Sequence, residues 1–511
     1  MTEPMESSPN WLKWTGLFAG PAAATLVYLL LPSEGLAPAG RATLAIGTLM
    51  AIWWLSEAIP LEATALIPLA AFPIAGVART KAAAAPYVDE VIFLFMGGMM
   101  LGVALERWNV HKRVALWTML VVGTRPGRLI GGMMLATAII SMWVSNTATA
   151  VMMLPIAAGI VGLVRERLAA QPGVSDRDIR QFATCLMLGV GYAATIGGVA
   201  TLIGTPPNAV LKGYIERVYA EPISFDRWLW IGMPLMLVFL PISWLVLTRL
   251  VFPVRIPEIP GAREMLRAQL RDLGPMVRGE RLVLAIFALT SAAWIFRPQL
   301  AGLLGLYTLR DGKPDYWLSD TGIAIMAALA MFLTPVDVAK REFLLDWRHA
   351  GRMPWGVLLL FGGGLSLAAA LEAHQVDVYI GALAGGLSGL HPLLIILIMT
   401  TIVVFVTEVG SNTAVTTTFL PIATAAALRL HIHPFLLAFP VAIGASYAFM
   451  MPTGTPPNAL VFATGLVRVP QMWRAGIVLN ILSIVVITSM MYFLGPWLLG
   501  FDSGAVLAPA K

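Results

Sequence analysis

Charge is the scarcest resource of this chain. Asp, Glu, Lys and Arg make up 12% of its 511 residues, about half the roughly 25% of an ordinary soluble domain. Beside 58% hydrophobic residues, that scarcity excludes a string of soluble domains, although the length would hold several. Cysteine is nearly absent: Cys185 is the single one, which rules out an intrachain disulfide and a cysteine-ligated metal cluster. Histidine is scarce as well. His431 and His433 lie two apart beside a span end without further ligands at metal-site spacing, and read as exposed loop residues. Residues 1–14, MTEPMESSPNWLKW, carry two acids and one lysine. This is a poor signal-peptide start and reads as a retained cytoplasmic tail. The net charge of +6 is distributed over loops between apolar runs, so it marks no nucleic-acid surface.

What the chain does have is long apolar runs, several near the ~20 residues that cross a bilayer. They predict an all-α polytopic membrane protein with about 11 transmembrane helices. Spans are expected near 15–31, 42–59, 62–77 and 91–105, with helices lying along the interface over 107–128. A segment at 129–164, a helix at 182–203 and a span at 229–252 complete a first half. After a linker at 253–281, rich in Arg, Pro and Glu, come spans near 282–296, 321–335 and 354–371. A segment at 390–428, a helix at 434–453 and a span at 474–499 follow, with a tail at 501–511.

Inside this apolar chain two polar motifs occur twice. Ser145-Asn146-Thr147 recurs 266 residues later as Ser411-Asn412-Thr413, and Gly-Thr-Pro-Pro-Asn stands at 204–208 and again at 454–458, an offset of 250. The 16-residue difference falls in a polar insertion around 165–180 that the second half lacks. Suppose the N-terminus is inside and the segments 129–164 and 390–428 are re-entrant hairpins. Then most of the 34 Lys and Arg fall on inside loops, and 372–428 contains none, as the positive-inside rule asks. The C-terminus lies outside. The halves, 15–252 and 282–500, then have opposite topology, and inverted repeats with discontinuous helices are a transporter architecture. Broken helices are expected at 182–220 and 434–466.

Ser, Asn and Thr in succession favour a helix start, aiming N–H groups into a cavity. Gly-Thr-Pro-Pro-Asn frees carbonyls, since its prolines lack N–H donors and its glycine permits unusual dihedrals. Such backbone at membrane depth survives only buried or lining a wet cavity. Together the motifs offer oxygens for a hard cation such as Na⁺ beside donors for a carboxylate. Helix–helix packing is the competing reading of one motif alone; two of each at repeat-related positions favour a transport site.

The paired motifs, in that order, resemble the divalent anion/sodium symporter family of dicarboxylate and tricarboxylate carriers, over about residues 45–500. The resemblance implies a homodimeric elevator, with scaffold helices to about 105 and about 371 holding the dimer. It implies Na⁺-coupled uptake of succinate, malate and fumarate, or citrate in some members. It places one Na⁺ site on Ser141, Ser145, Asn146 and Gly204, and another on Thr407, Asn412 and Gly454. Substrate carboxylates would meet Asn146, Thr147, Asn412 and Thr413, helped by Thr205, Thr455 and Pro456. Some relatives carry serine where Thr205 stands; the extra methyl narrows the pocket.

Glu408 is the one acid inside a hairpin, and Met142 holds its repeat-related position. It reads either as a hydrogen-bonded structural acid or as a direct participant in coupling. Glu106 and Glu372, 266 apart at span ends, read as interfacial. The 26 Met and 16 Trp fit lipid-facing packing and interfacial anchoring rather than an organic cofactor. The expected protein is thus no enzyme but an inner-membrane carrier whose partners are a dicarboxylate, Na⁺, lipid and a second copy of itself. A sodium-independent exchanger, or citrate or sulfate as cargo, stays open on the same scaffold. A channel would require a continuous pore, and the doubled Pro-Pro breaks favour alternating access instead. An intramembrane hydrolase would need a nucleophile–base or metal constellation that the lone acid and absent midspan histidines do not offer.

Overall fold

The computed structural model describes residues 10–31, 36–168, 171, 174–310, 313–383, 389–502 and 507. The expected tails at 1–14 and 501–511 and the insertion at 165–180 lie partly outside these residues. Helix α1, Asn10–Leu30, begins inside the expected N-terminal tail. It packs along α2, Pro38–Ser56. The run expected as a third span is two short pieces, α3 (Leu61–Thr64) and α4 (Ile67–Ile74), in a stretch punctuated by Pro60, Pro68 and Pro73. After α5 (Thr80–Ala84) come α6 (Glu90–Arg107), α7 (Val110–Val122), α8 (Pro126–Ser141), α9 (Asn146–Leu168), α10 (Asp176–Gly198), α11 (Pro206–Tyr219) and α12 (Phe225–Leu245). The linker carries α13, Ala262–Asp272, which packs on α7.

The second half runs α14 (Arg278–Ile295), α15 (Arg297–Leu303), α16 (Asp320–Leu333), α17 (Trp347–Ala350), α18 (Trp355–Ala373), α19 (Val376–Leu383), α20 (Pro392–Val406), α21 (Asn412–Arg429), α22 (Phe435–Ser446), α23 (Pro456–Ala463), α24 (Val469–Phe493) and α25 (Gly495–Leu499). Two small antiparallel hairpins interrupt it, β1–β2 (Tyr307–Arg310, Lys313–Tyr316) and β3–β4 (Pro335–Asp337, Glu342–Phe343). The elements from α6 to α12 match those from α18 to α24 in order. Even the corner after α6 is repeated: Asn109 and the residue 266 later, Gln375, both turn with positive φ, 54° and 56°.

Among the described residues, six helical stretches are long and apolar enough to cross a bilayer: Thr80–Arg107, Asn146–Leu168, Asp176–Gly198, Phe225–Val251, Trp355–Ala373 and Val469–Phe493. The pair α14–α15, bent by 88°, makes a seventh if taken as one. By this measure the count falls short of eleven. Several expected spans, among them 62–77, 321–335 and 434–453, are occupied by helices too short to cross alone.

Two hydrophobic clusters hold the chain. The larger draws on α6 to α16 and on α20 to α25. The smaller joins α2, α3, α4, α5, α18 and α19, and takes in Ala414, near the start of α21. Trp54, Trp228 and Trp294 are fully buried, each indole N–H donating to a backbone carbonyl, of Leu61, Val199 and Asp320. Met50, Met119, Met133, Met153, Met187 and Met331 show no exposure. The expectation of lipid-facing methionines is corrected: the flexible thioether fills gaps between close-packed helices.

Candidate cation and anion site

Each SNT motif sits where one helix ends and the next begins. Ser141 closes α8 and Asn146 opens α9; 266 residues later, Thr407 follows α20 and Asn412 opens α21. In the first copy Ser141 Oγ lies 2.8 Å from Asn146 Oδ1 and 2.7 Å from the carbonyl oxygen of Ala194 on α10. In the second, Thr407 Oγ1 lies 2.8 Å from Asn412 Oδ1 and 2.6 Å from the carbonyl oxygen of Ala445 on α22. A hydroxyl has one proton, so it cannot donate to both neighbours. With both amide oxygens inward, each trio is one hydrogen-bond donor short. The Asn412 amide can also turn its nitrogen inward, donating to Thr407 Oγ1 (2.8 Å), the Ala445 carbonyl (3.0 Å) and the Gly454 carbonyl (3.2 Å).

The breaks begin earlier than the Gly-Thr-Pro-Pro-Asn motifs suggest. Helix α10 ends at Gly198, not at 203, and α22 ends at Ser446, not at 453. The prolines do not break a helix; they occupy the first turn of α11 and α23, where an N–H has no helical partner. What holds the unwound backbone is the last residue of each motif. Asn208 Nδ2 reaches back to the carbonyls of Gly198 (3.2 Å), Val199 (3.4 Å) and Thr201 (2.7 Å). Asn458 Nδ2 does the same to Ala448 (3.0 Å) and Met451 (3.1 Å). Both asparagines are fully buried. The threonines before the prolines share one extended geometry, φ −144° with ψ 143° at Thr205 and 149° at Thr455. Thr455 Oγ1 accepts from Asn458 N at 3.4 Å, and Thr205 makes no such cap bond.

The two copies form one unit. Helix α11, leaving the first break, packs on α21 and α22; α23, leaving the second, packs on α9 and α10. Tyr214 of α11 bonds Thr424 of α21 through its hydroxyl at 2.7 Å. Tyr192 of α10 donates to the carbonyl of Phe449, inside the second break, at 2.7 Å. A Cβ at Gly191 would touch Val461 of α23 at 3.0 Å. Four helix N-termini, those of α9, α11, α21 and α23, thus begin at the breaks and tips and present partial positive charge to an anion. The carbonyl-bearing ends of α8, α10, α20 and α22 suit cations.

Of the residues named from sequence, Ser141, Asn146, Thr407, Asn412 and Gly454 meet in these trios and their immediate surround. Gly204 lies against Gly198, where a Cβ would fall 2.4 Å from the Gly198 carbonyl oxygen. Ser145 instead accepts the Ala148 N–H at 3.3 Å, a helix-start role. Thr147 and Pro456 are exposed, whereas Thr413, Thr205 and Thr455 are buried. His433 is corrected from exposed to buried: its ring stacks on Phe501 at 4.1 Å, and Nδ1 accepts the Phe435 N–H. Burial pushes its imidazole down to about 4. Asn480, Tyr192 and Trp228 were not singled out from sequence; a lone amide within the apolar run 474–499 was the one available signal.

Helices of membrane-crossing length, short helices broken between them, and paired polar breaks shared by two halves define a polytopic helical membrane protein of the transporter class. The sequence profile of the sodium:sulfate symporter transmembrane region matches residues 12–501, and the chain belongs to that family, the divalent anion/sodium symporters. It is 40% identical over 488 residues to the sodium-dependent dicarboxylate transporter SdcS of Staphylococcus saprophyticus, covering 95% of this chain and 92% of that one. Its counterpart of the same name in Staphylococcus aureus is 37% identical over the same shares. Among solved structures, the fold is similar to Neisseria gonorrhoeae MtrF (TM-score 0.57, 12% identity, 93% of this chain and 98% of that chain). It is also similar to Alcanivorax borkumensis YdaH (TM-score 0.52, 14% identity, 96% and 98%).

Proposed function

We propose that this chain is a secondary carrier that couples entry of a C4-dicarboxylate such as succinate, malate or fumarate to Na⁺. The observation that carries the reading is the doubled cluster Ser141–Asn146–Ala194 and Thr407–Asn412–Ala445, in which a hydroxyl and an amide, at positions 266 apart on the two hairpin tips, converge with a main-chain carbonyl. Na⁺, as cargo, is taken by the oxygens of each trio, with the Gly204 and Gly454 carbonyls nearby. The carboxylates of the substrate take the helix N-termini and the amide and hydroxyl groups of Asn146, Thr147, Asn412 and Thr413, with Thr205, Thr455 and Pro456 at the breaks. A dianion beside two monovalent cations is neutral, and can leave water for a low-dielectric path. The names of the staphylococcal relatives support this cargo.

The same reading makes the halves inverted repeats that open the site to alternate sides by an elevator motion. It places a homodimer in the inner membrane with the N-terminus cytoplasmic and the C-terminus outside, and needs no organic cofactor. Uptake of radiolabelled succinate into proteoliposomes tests it. An inward Na⁺ gradient should drive accumulation that K⁺ or choline does not, and unlabelled malate should compete. Equal uptake in choline would show a sodium-independent exchanger; stronger competition by sulfate or citrate would reassign the cargo.

A further inference from the structure

The acid beside the second trio has no place in the scheme above. Glu408 follows Thr407 directly and is 3% exposed. Its carboxylate turns away from the trio and onto the unwound backbone of the second break. Oε1 accepts from Phe449 N (2.7 Å), Met450 N (2.9 Å) and Asn480 Nδ2 (2.7 Å); Oε2 accepts from Met450 N (3.0 Å) and Met451 N (3.0 Å). The three backbone N–H groups among these partners can donate but not accept, so they favour the ionised, acceptor-only form. Asn480, with no exposure, comes from α24 and ties the cradle to the last long helix. The main-chain carbonyl of Glu408 accepts from Thr453 Oγ1 at 3.4 Å. On its far side Oε2 abuts Gly454: a Cβ there would lie 3.0 Å away.

The first repeat has nothing equivalent. Met142 stands in the place of Glu408, and its carbonyl accepts the hydroxyl of Thr201, which holds the tip to the break without any charge. The two tips therefore place equivalent groups at equivalent positions and differ by the carboxyl group that only the second carries.

We propose that Glu408, steadied by Asn480, is a positioning residue of the second cation site, and that it makes that site the tighter and earlier-filled of the two. It does not touch the ion. It fixes the 449–451 backbone from which Gly454 is presented, and sets a carboxylate against Gly454 in a medium where charge is poorly screened. This rests on the reading of the trios as Na⁺ sites.

The test is a Na⁺ titration of thermal melting in detergent, without substrate, beside the Na⁺ dependence of succinate uptake. Glu408→Gln keeps shape and removes charge. The half-saturating Na⁺ concentration should rise about tenfold or more, while melting in Na⁺-free buffer changes less than the Na⁺-induced increment does. Asn480→Leu leaves the charge and loosens the cradle, and should shift the midpoint a few-fold in the same direction. If Glu408→Gln yields no folded protein, Asn480→Leu carries the test. Lower melting with an unshifted Na⁺ midpoint in the variant tested would show a merely structural acid and overturn the proposal. A wild-type protein whose melting and uptake both ignore Na⁺ would bring down the cation reading itself, and this inference with it.

Discussion

In the first break the freed carbonyls are met from a neighbouring helix: Trp228 Nε1 donates to Val199 O at 2.9 Å, and α12 comes so close at Gly232 that a Cβ would lie 2.6 Å from Ala200 O. In the second, α24 makes the same close approach at Gly476, with a Cβ 2.3 Å from Phe449 O, but the freed N–H groups are met by Glu408 of the adjoining hairpin. The asymmetry extends to the tips, where Thr147 is exposed and Thr413 is buried, with its neighbour Ala414 in the cluster of α2 and α18. The two halves keep one arrangement of hydroxyl, amide and carbonyl groups and differ in what holds it. What persists in both copies, the Ser/Thr–Asn–Ala trio and the back-reaching asparagine, is what a matched pair of sites requires.

Substitutions can break this comparison, the largest effect first. Asn146→Ala and Asn412→Ala each remove an oxygen from one trio and should lower succinate uptake about 100-fold or more without loss of folding. An active double mutant would overturn the site. Gly204→Ala should be the harsher of the glycine pair, because its Cβ would meet backbone, the Gly198 carbonyl oxygen at 2.4 Å. Gly454→Ala meets side chains, Ala448 Cβ at 2.9 Å and Glu408 Oε2 at 3.0 Å, and should retain measurable uptake. Equal damage from both would mean the second break is as rigid as the first. Asn208→Ala and Asn458→Ala should each destabilise by about 1–3 kcal/mol in detergent melts, through buried carbonyls left unpaired. Asn208, with three carbonyl contacts to two, should have the larger effect.

The connectors respond to acid differently. The depressed imidazole of His433 means the unfolded chain binds the proton more readily, so stability falls as pH drops from its ordinary value near 6.5 to about 4. His433→Gln should flatten that part of a melting-versus-pH curve. In the other connector, Asp178 is held below its usual range by the Ser175 hydroxyl and N–H, so its contribution is lost only as pH falls further. The smallest effect is expected of Thr453→Val, whose bond to Glu408 O is long and comes from an exposed residue. Uptake should stay within about twofold.

Much of this was legible in the chain beforehand. The doubled motifs singled out Asn146 and Asn412, and the family resemblance, with Thr407 266 residues after Ser141, named the two hydroxyls that complete the trios. The start of each break was not, because the residue responsible, Asn208 or Asn458, acts 7 to 10 positions upstream of itself. The partners of Glu408 were illegible for a related reason: most are backbone N–H groups, which every residue type carries, and the side-chain partner is 72 positions away. His433 could not be placed because its burial depends on Phe501, a residue of the C-terminal end.

The crossed seating of α11 and α23 bears on how such a chain is made. During synthesis the first half emerges with α11 in hand but without α21 and α22, the surfaces that cover it. The Tyr214–Thr424 bond joins the halves only once α21 is in place. Neither half can finish its own binding surface alone, so the nascent first half must wait in the bilayer, incompletely packed, until nearly the whole polypeptide has been inserted.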